Sequence, residues 1–315
     1  MPVAPSVYLK FIRWKNLLLI ALTQLLVRFF IIKPVFAEYR LLEHSLSDLA
    51  FLLVVAATMC IAAAGYIIND YFDTGMDHIN KPMQVMVGRY FSKKEALRMH
   101  LLFNAAGVAL GLFAAFCAGN IQLGFVFVIA AGLLWFYARI FKKTFLLGNM
   151  IVALLTSLVV LLPSFFETHL FVQTDVVTSA AALRILIPTA IYSLFAFLAT
   201  LIREIIKDVE DLEGDKQFGS QSIPASLGIK TTKAVVTILI LLFAGLLFIV
   251  QRALFRDDQL LGVSYIFIAL QLPALSMIFY LIPAKDQADF HKLSSLMKVI
   301  MLLGVISMPL FHYFR

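Results

Sequence analysis

Two short acidic stretches contain the residues of this 315-residue sequence that are best suited to chemistry. The amide and carboxylate side chains that recur in them at intervals of three or four residues are Asn69, Asp73, Asp77, Asp208, Asp211 and Asp215. On a helix, this spacing places the members of each stretch along one face. Oxygen ligands of this kind suit Mg²⁺, which typically binds through a few carboxylates together with substrate phosphates. Two such stripes facing each other predict a magnesium-dependent site for a phosphorylated substrate.

The alternative is that the acids are only polar residues that flank helices. Like charges four residues apart repel each other by a few tenths of a kcal/mol per pair when no cation lies between them, which disfavours this alternative. Zinc is not expected, because His78 is the only histidine beside the acids and no cysteine accompanies them. Four further acids point away from the stripes, and for these a solvated or ion-paired role is as well supported as a ligand role: Asp70, Glu204, Glu210 and Glu213.

Basic and aromatic side chains accompany the acids where a diphosphate needs partners. Arg203 and Lys207 share a helix face with Asp211, and Lys207 is expected to act with the aspartates in catalysis. The other side chains expected to bind the substrate near the acids are Arg89, Tyr137 and Lys142. The competing interpretation of these cations is simple anchoring on the inner side of a membrane.

The composition of the chain indicates what kind of protein positions these residues. Hydrophobic residues make up 62% of the chain, charged residues only 14%, and the mean hydropathy is +0.93. A globular protein of this size cannot hide so much apolar side chain, because most of its surface must face water. These values exclude a soluble enzyme, a disordered regulator and a coiled coil, and they leave a polytopic membrane protein.

Nine apolar runs are long enough to cross a bilayer as helices. They cover about 16–36, 48–69, 96–118, 121–140, 145–166, 185–205, 232–251, 259–283 and 293–313. The runs are continuous, whereas strands of a membrane barrel alternate, so the predicted fold class is all-α. The chain reads as a single membrane domain over 1–315, with two long polar segments, about 70–95 and 203–230, that carry the acidic stretches.

The distribution of Lys and Arg predicts the orientation of these spans. With the N-terminus inside, 16 basic residues fall in inside segments, and the outside segments hold Arg40, Arg184, Arg252, Arg256 and Arg315. This bias follows the positive-inside rule and places the N-terminus and both acidic stretches in the cytoplasm, with the chain in the cell (inner) membrane. The net charge of +7 is thereby explained without nucleic acid as a partner.

At these residues the chain resembles the UbiA superfamily of membrane prenyltransferases. The family pattern NxxxDxxxD after the second helix is matched by the first acidic stretch, and its DxxxD after the sixth helix by Asp211 and Asp215. Further matches are Arg13, Asn16, Tyr137, Lys142, Gly148 and Asn149. The resemblance implies about nine transmembrane helices around a central cavity, a cap over its cytoplasmic mouth and a lateral opening to lipid. It also implies two Mg²⁺ at the aspartate motifs, with Arg13 and Asn16 binding substrate.

The second motif narrows the resemblance. The run REIIKDVEDLEGD over 203–215 resembles the branch of digeranylgeranylglyceryl phosphate synthases, which use geranylgeranyl diphosphate as donor and geranylgeranylglyceryl phosphate as acceptor. One departure concerns the segment after Asn80-Lys81-Pro82, where the family often has a basic residue and this chain has Gln84.

The function predicted from the resemblance is transfer of a prenyl group from an isoprenoid diphosphate to a lipophilic acceptor. Mg²⁺ assists ionisation of the donor, diphosphate is released, and an apolar cavity keeps the allylic cation from water. Two alternatives stay open. One is an aromatic acceptor, as in quinone biosynthesis, and the other is a cation-coupled transporter, although transporters usually place buried acids near the bilayer midplane.

Overall fold

The computed structural model of the protein describes residues 4–80, 82–173 and 175–313, so Lys81 and Arg315 lie outside it. Among these residues all the regular secondary-structure elements are helices, apart from one isolated β-bridge between Val87 and Phe91. The α-helices are α1 (Pro5–Phe11), α2 (Trp14–Val27), α3 (Lys33–Glu38), α4 (Asp48–Asn80), α5 (Lys93–Cys117), α6 (Phe125–Arg139), α7 (Leu147–Phe165), α8 (His169–Val172), α9 (Val176–Glu210), α10 (Leu212–Gln217), α11 (Ile223–Arg256), α12 (Leu260–Tyr265), α13 (Leu272–Leu281) and α14 (Gln287–Tyr313).

Nine helical segments in the described part of the chain are long and apolar enough to cross a membrane. They are Trp14–Glu38, Asp48–Asn80, Lys93–Cys117, Ile121–Arg139, Leu147–Phe165, Val176–Glu210, Ile223–Arg256, Leu260–Leu281 and Gln287–Leu310. The π-helical turn Arg28–Ile32 joins α2 to α3, and a second one, Ile266–Gln271, joins α12 to α13. The predicted all-α class and the nine predicted spans are confirmed.

The two helices that carry the acidic stretches are longer than hydropathy predicts. α4 runs to Asn80 instead of ending near residue 69, and α9 covers Val176–Glu210 instead of 185–205. Most of the expected polar segment 203–230 is also helical, in α9, α10 and α11. The hydropathy pattern marks only the apolar part of a helix, but the backbone hydrogen bonds of the helix continue through polar residues. The expectation of polar connecting segments at 70–95 and 203–230 is therefore wrong in detail.

The chain divides into two compact units, and the first comprises Met1–Lys142 and Leu158–Thr189. Its core packs apolar faces of α4, α5, α6 and α7, with Phe51, Val54, Ile61 and Phe127 among the buried side chains. Tight helix packing depends on small residues here. A Cβ at Gly111 would lie 2.1 Å from Cδ2 of Phe127.

A buried ion pair lies in this first unit. The guanidinium of Arg28, at the start of the first π-helical turn, contacts the Glu167 carboxylate and the Leu46 carbonyl. Glu167 also accepts a hydrogen bond from the Leu46 backbone N–H at 2.9 Å. Each charge thus has partners inside the apolar unit, as an ionisable group in a membrane protein requires.

The second unit comprises Lys143–Ser157 and Ala190–Arg315. Its core is formed by the apolar faces of α9, α11, α13 and α14, and it includes Ile202, Ile206, Phe243, Met277 and Phe290. The last turns of α9, which carry the first part of the second acidic stretch, therefore continue directly from a packed helix. This packing positions the polar side chains described next.

Candidate functional site

The first motif lies on the last three turns of α4, and Asp73 is its buried centre. Only 2% of Asp73 is exposed. Its Oδ2 accepts a hydrogen bond from Asn69 Nδ2 at 2.6 Å and also contacts the Lys142 ammonium. Asp77 follows one turn further along α4 and is half-buried. The predicted stripe is therefore helical, with an amide, a carboxylate and an ammonium in direct contact.

Lys142 supplies the positive charge of this cluster. It lies in the short 3₁₀ turn Phe141–Lys143 after α6, so the chain beyond α6 brings it to α4. Burial is the largest single influence on the pKa of the Lys142 ammonium and lowers it. The attraction and hydrogen bond of Asp73, together with Tyr137 and Asp77, raise that pKa by more and hold it above its usual range. Lys142 is accordingly charged at neutral pH and compensates the charge of Asp73.

Arg13 reaches the same helix from the N-terminal segment. It occupies the left-handed region, with φ 53°, at the junction of α1 and α2, and its Nη2 lies 2.8 Å from Asp70 Oδ1. The guanidinium also lies over the Tyr66 ring, 4.9 Å from the centroid. The Asn16 backbone N–H donates to the Arg13 carbonyl at 2.8 Å. Of the two roles left open for Asp70, the structure shows the ion-paired one.

The segment between α4 and α5 carries Arg89. Phe91 anchors this segment by stacking on Phe11 at 4.6 Å between ring centroids and by an edge contact with Tyr8 at 5.0 Å. Arg89 is exposed and lies over the Tyr90 ring at 5.3 Å. The side chain of Gln84, the departure from the family pattern, lies outside the described part of the chain. Arg89 is thus displayed to solvent from an anchored segment.

The second motif continues past the end of α9. Asp211 separates α9 from α10 with φ −98° and ψ 8°, yet its N–H still donates to the Lys207 carbonyl at 2.9 Å. The Asp215 N–H donates in turn to the Asp211 carbonyl at 3.1 Å. Asp215 is buried, with 7% exposed. The four-residue hydrogen-bond spacing is kept across the break, so Asp211 and Asp215 stay one turn apart.

Asn149, one of the matches to the family pattern, is a further polar residue beside the second motif, and its sequence position alone predicts no role. Its Nδ2 donates a 2.7 Å hydrogen bond to Asp208 Oδ2. Asn149 stands 59 positions from Asp208, at the start of α7, and is 8% exposed. The polar Gly148-Asn149 pair before an apolar run was the available signal. The bond orients the Asp208 carboxylate on the last turns of α9.

The two basic residues of the second motif both contact Glu204. Arg203 Nη1 lies 2.5 Å from Glu204 Oε1, and Lys207 Nζ lies 3.4 Å from Glu204 Oε2. Glu204 therefore has an ion-paired role, which is one of the two roles left open for it. The predicted contact of Arg203 and Lys207 with a diphosphate stays a prediction.

The side chains of the first motif fit a hard divalent cation. Asn69 Oδ1 is a buried oxygen without a hydrogen-bond partner, while its Nδ2 holds the neighbouring Asp73 carboxylate. An amide oxygen and carboxylates are suitable ligands for Mg²⁺, and an unsatisfied buried oxygen is costly without a cation or donor. In neither unit do three described His, Cys, Asp or Glu side chains cluster as a complete metal site.

Comparison with known proteins identifies the family. Residues 34–297 match the model of the UbiA prenyltransferase family. The digeranylgeranylglyceryl phosphate synthase of Korarchaeum cryptofilum is 32% identical over 84% of this chain and 87% of its own length. The corresponding synthase of Methanosarcina mazei is also 32% identical, over 81% of this chain and 80% of its own length.

Solved structures agree in fold. A structure of digeranylgeranylglyceryl phosphate synthase matches with a TM-score of 0.64 and 25% identity, over 96% of this chain and 98% of the other. A UbiA homologue from Archaeoglobus fulgidus, solved with GPP and Mg²⁺ bound, matches with a TM-score of 0.58 and 16% identity over 96% of this chain and 99% of the other. The chain, a multi-pass membrane protein, belongs to the UbiA prenyltransferase family, in the branch similar to the digeranylgeranylglyceryl phosphate synthases.

Proposed function

We propose that this protein transfers a geranylgeranyl group from geranylgeranyl diphosphate to the free glycerol hydroxyl of geranylgeranylglyceryl phosphate. The names of its relatives support this acceptor, as does the REIIKDVEDLEGD run at 203–215. The observation that carries the proposal is the cluster of Asn69, Lys142 and the buried Asp73, in which an unsatisfied amide oxygen adjoins a carboxylate and an ammonium. Such a cluster suits a diphosphate that arrives with a divalent cation.

The ligand oxygens for that cation are proposed to come from both aspartate motifs. They belong to Asn69, Asp73, Asp77, Asp208, Asp211 and Asp215. When bound, Mg²⁺ supplies Lewis-acid stabilisation of the negative charge on the leaving diphosphate. The chain's own cations add charge-assisted hydrogen bonds to phosphate oxygens, a role proposed for Arg13, Arg89, Lys142, Arg203 and Lys207, with Asn16 and Tyr137 as further polar contacts.

The reaction breaks the allylic C–O bond of the donor, and the electron pair leaves with diphosphate. The glycerol hydroxyl oxygen then forms a new ether bond with the allylic carbon, and its proton is released to a base or to water. The carbocation character of the allylic group requires that water be kept away, and apolar transmembrane helices provide such surroundings. We place both motifs on the cytoplasmic side of the inner membrane, in line with the distribution of Lys and Arg.

The role of the motifs is tested by removing one charge at a time. Asp73→Asn and Asp211→Asn each keep the side-chain volume, and each is expected to lower transfer about a hundredfold or more, because stabilisation of the leaving group is lost. Transfer is measured in membranes with Mg²⁺ and labelled geranylgeranyl diphosphate. Asp257→Asn, in the exposed turn after α11, is the matched control and should transfer normally. Full activity in either motif variant, correctly inserted, contradicts the assignment.

The acceptor is tested separately with purified protein. Geranylgeranylglyceryl phosphate, 4-hydroxybenzoate and dihydroxynaphthoate are each supplied with geranylgeranyl diphosphate, and product masses are measured. We expect the diether product from the first acceptor only. A prenylated aromatic product would instead support the quinone-type alternative. Cation uptake into proteoliposomes without release of diphosphate would support a transporter.

A further inference from the structure

Glu210 belongs to the second motif by sequence but contacts the last helix of the chain. It is 7% exposed, at the final position of α9. Its Oε1 lies 3.0 Å from His291 Nδ1, and its Oε2 accepts a 3.3 Å hydrogen bond from the Ser294 hydroxyl. Its backbone carbonyl accepts a 3.1 Å hydrogen bond from Gln287 Nε2. A carboxylate only accepts, so the His291 imidazole donates from Nδ1.

The three partners occupy one face of α14. Gln287, His291 and Ser294 follow one another at intervals of four and three residues, so they lie along a single stripe of that helix. On α14 itself, Phe290, Leu293 and Met297 are buried in the core of the second unit. The stripe that binds Glu210 is therefore held rigidly by apolar packing.

We propose that Glu210 is a positioning residue, which fixes the end of α9 to α14 and thereby sets the direction of its neighbours Asp208 and Asp211. Backbone groups at a helix end lack intrahelical partners, so the last turn needs external contacts to stay in one conformation. Here the contacts come from three side chains on a packed helix and act on both the side chain and the backbone of Glu210. Asp211 directly follows Glu210, so the position of its backbone depends on these contacts.

The inference rests on the proposed function in one respect, because it assumes that Asp208 and Asp211 bind the cation of the donor complex. Groups that orient metal ligands typically change metal affinity or activity by 10- to 100-fold when they are removed. We therefore expect that removing the α14 contacts weakens cation binding by about tenfold, although neither His291 nor Ser294 is itself proposed as a ligand.

The experiment compares His291→Ala, Ser294→Ala and the double variant with wild-type protein in detergent. His291→Gln is the conservative variant, because its amide can still donate to Glu210. Lys292→Ala is the matched control, since it removes an exposed side chain from the same turn of α14 and leaves the Glu210 contacts in place. Most of the His291 side chain is exposed, so its loss leaves the core intact. The readouts are Mn²⁺ affinity by electron paramagnetic resonance without substrate, Tm, and kcat and KM for geranylgeranyl diphosphate.

The inference is supported if His291→Ala weakens Mn²⁺ binding and raises the donor KM about tenfold while Tm stays unchanged. The double variant should show larger changes, and His291→Gln should recover the wild-type values. Wild-type affinity in the double variant overturns it. A loss of affinity that only parallels a fall in Tm, or a wild-type protein that binds no Mn²⁺, also overturns it. If wild-type protein binds Mn²⁺ but does not transfer geranylgeranyl groups, the proposed function fails. The Mn²⁺ affinities of the variants then still test whether Glu210 is a positioning residue.

Discussion

Lys142 and Asp73 show how one residue pair can hold a carboxylate that we propose to be catalytic before substrate arrives. Asp73 is almost completely buried, and a buried carboxylate without a partner would be costly. Lys142 lies 69 positions away in sequence and supplies the compensating charge. A cation bound at Asp73 would compensate this carboxylate and would leave the Lys142 ammonium to the diphosphate oxygens. In the substrate-free protein, Lys142 therefore acts as the charge partner of Asp73.

The first prediction at the residue scale concerns Lys142→Met. Removing one partner of a buried pair costs about 3–5 kcal/mol, and Lys142 is partly exposed, so we expect the lower end of that range. The loss should be seen as a lower Tm in EDTA, and Mg²⁺ should restore part of it by replacing the missing charge. Lys143→Met, which removes an exposed neighbouring lysine, is the control. Equal melting of the two variants in EDTA would refute the proposed role.

At the element scale, the long helices α4 and α9 put the proposed ligand side chains on rigid supports. α4 is a single helix of 33 residues, so its apolar part, packed in the first unit, and its acidic last turns move as one body. A side chain on a continuous helix is positioned more accurately than one on a loop. This explains how Asn69, Asp73 and Asp77 on α4 and Asp208 on α9 can lie beyond the apolar part of their helices and still be held in place.

Close helix packing gives a second prediction at this scale. A methyl group at Gly111 of α5 would overlap the buried Phe127 ring, so Gly111→Ala should destabilise the first unit by about 1–3 kcal/mol. No atom lies within 4 Å of a Cβ built at Gly132 of α6, so Gly132→Ala should be neutral or stabilising by up to about 1 kcal/mol. Thermal unfolding in detergent measures both. A Gly111→Ala protein as stable as Gly132→Ala would contradict the packing described.

On the scale of the whole molecule, the proposed orientation decides which compartment the two aspartate motifs face. An odd number of crossings places the two ends of the described spans on opposite sides of the membrane, and the basic residues favour the cytoplasm for the N-terminal side. The connections after α11 and α13 then face opposite compartments, since one further crossing separates them. This makes the orientation measurable with two single-cysteine proteins.

The prediction uses a background in which Cys60 and Cys117 are replaced by alanine. Asp257→Cys, after α11, should react with a membrane-impermeant maleimide in intact cells, while Lys285→Cys, after α13, should react only after the membrane is opened. Both positions are exposed, so access to the reagent depends on the compartment. The reverse labelling pattern would place both aspartate motifs outside and would overturn the cytoplasmic assignment.

Much of this protein could be predicted from local sequence. Uninterrupted apolar runs predict membrane helices, because backbone N–H and C=O groups in the lipid hydrocarbon must find hydrogen-bond partners within the protein. The spacing of Asn69, Asp73 and Asp77 likewise determines a common helix face wherever the helix continues. What hydropathy could not reveal is that α4 and α9 extend through their acidic turns, since hydrogen bonding between backbone groups does not depend on side-chain polarity.

The partners of the acidic side chains were decided only by the tertiary structure. Lys142 meets Asp73, Asn149 meets Asp208, and Glu210 meets His291, and the last two of these contacts join residues 59 and 81 positions apart. Helix periodicity relates residues within a few turns of each other and carries no information about which helices become neighbours. That choice comes from the packing of entire apolar faces, and it determines which acids have a charge partner and which have a hydrogen bond.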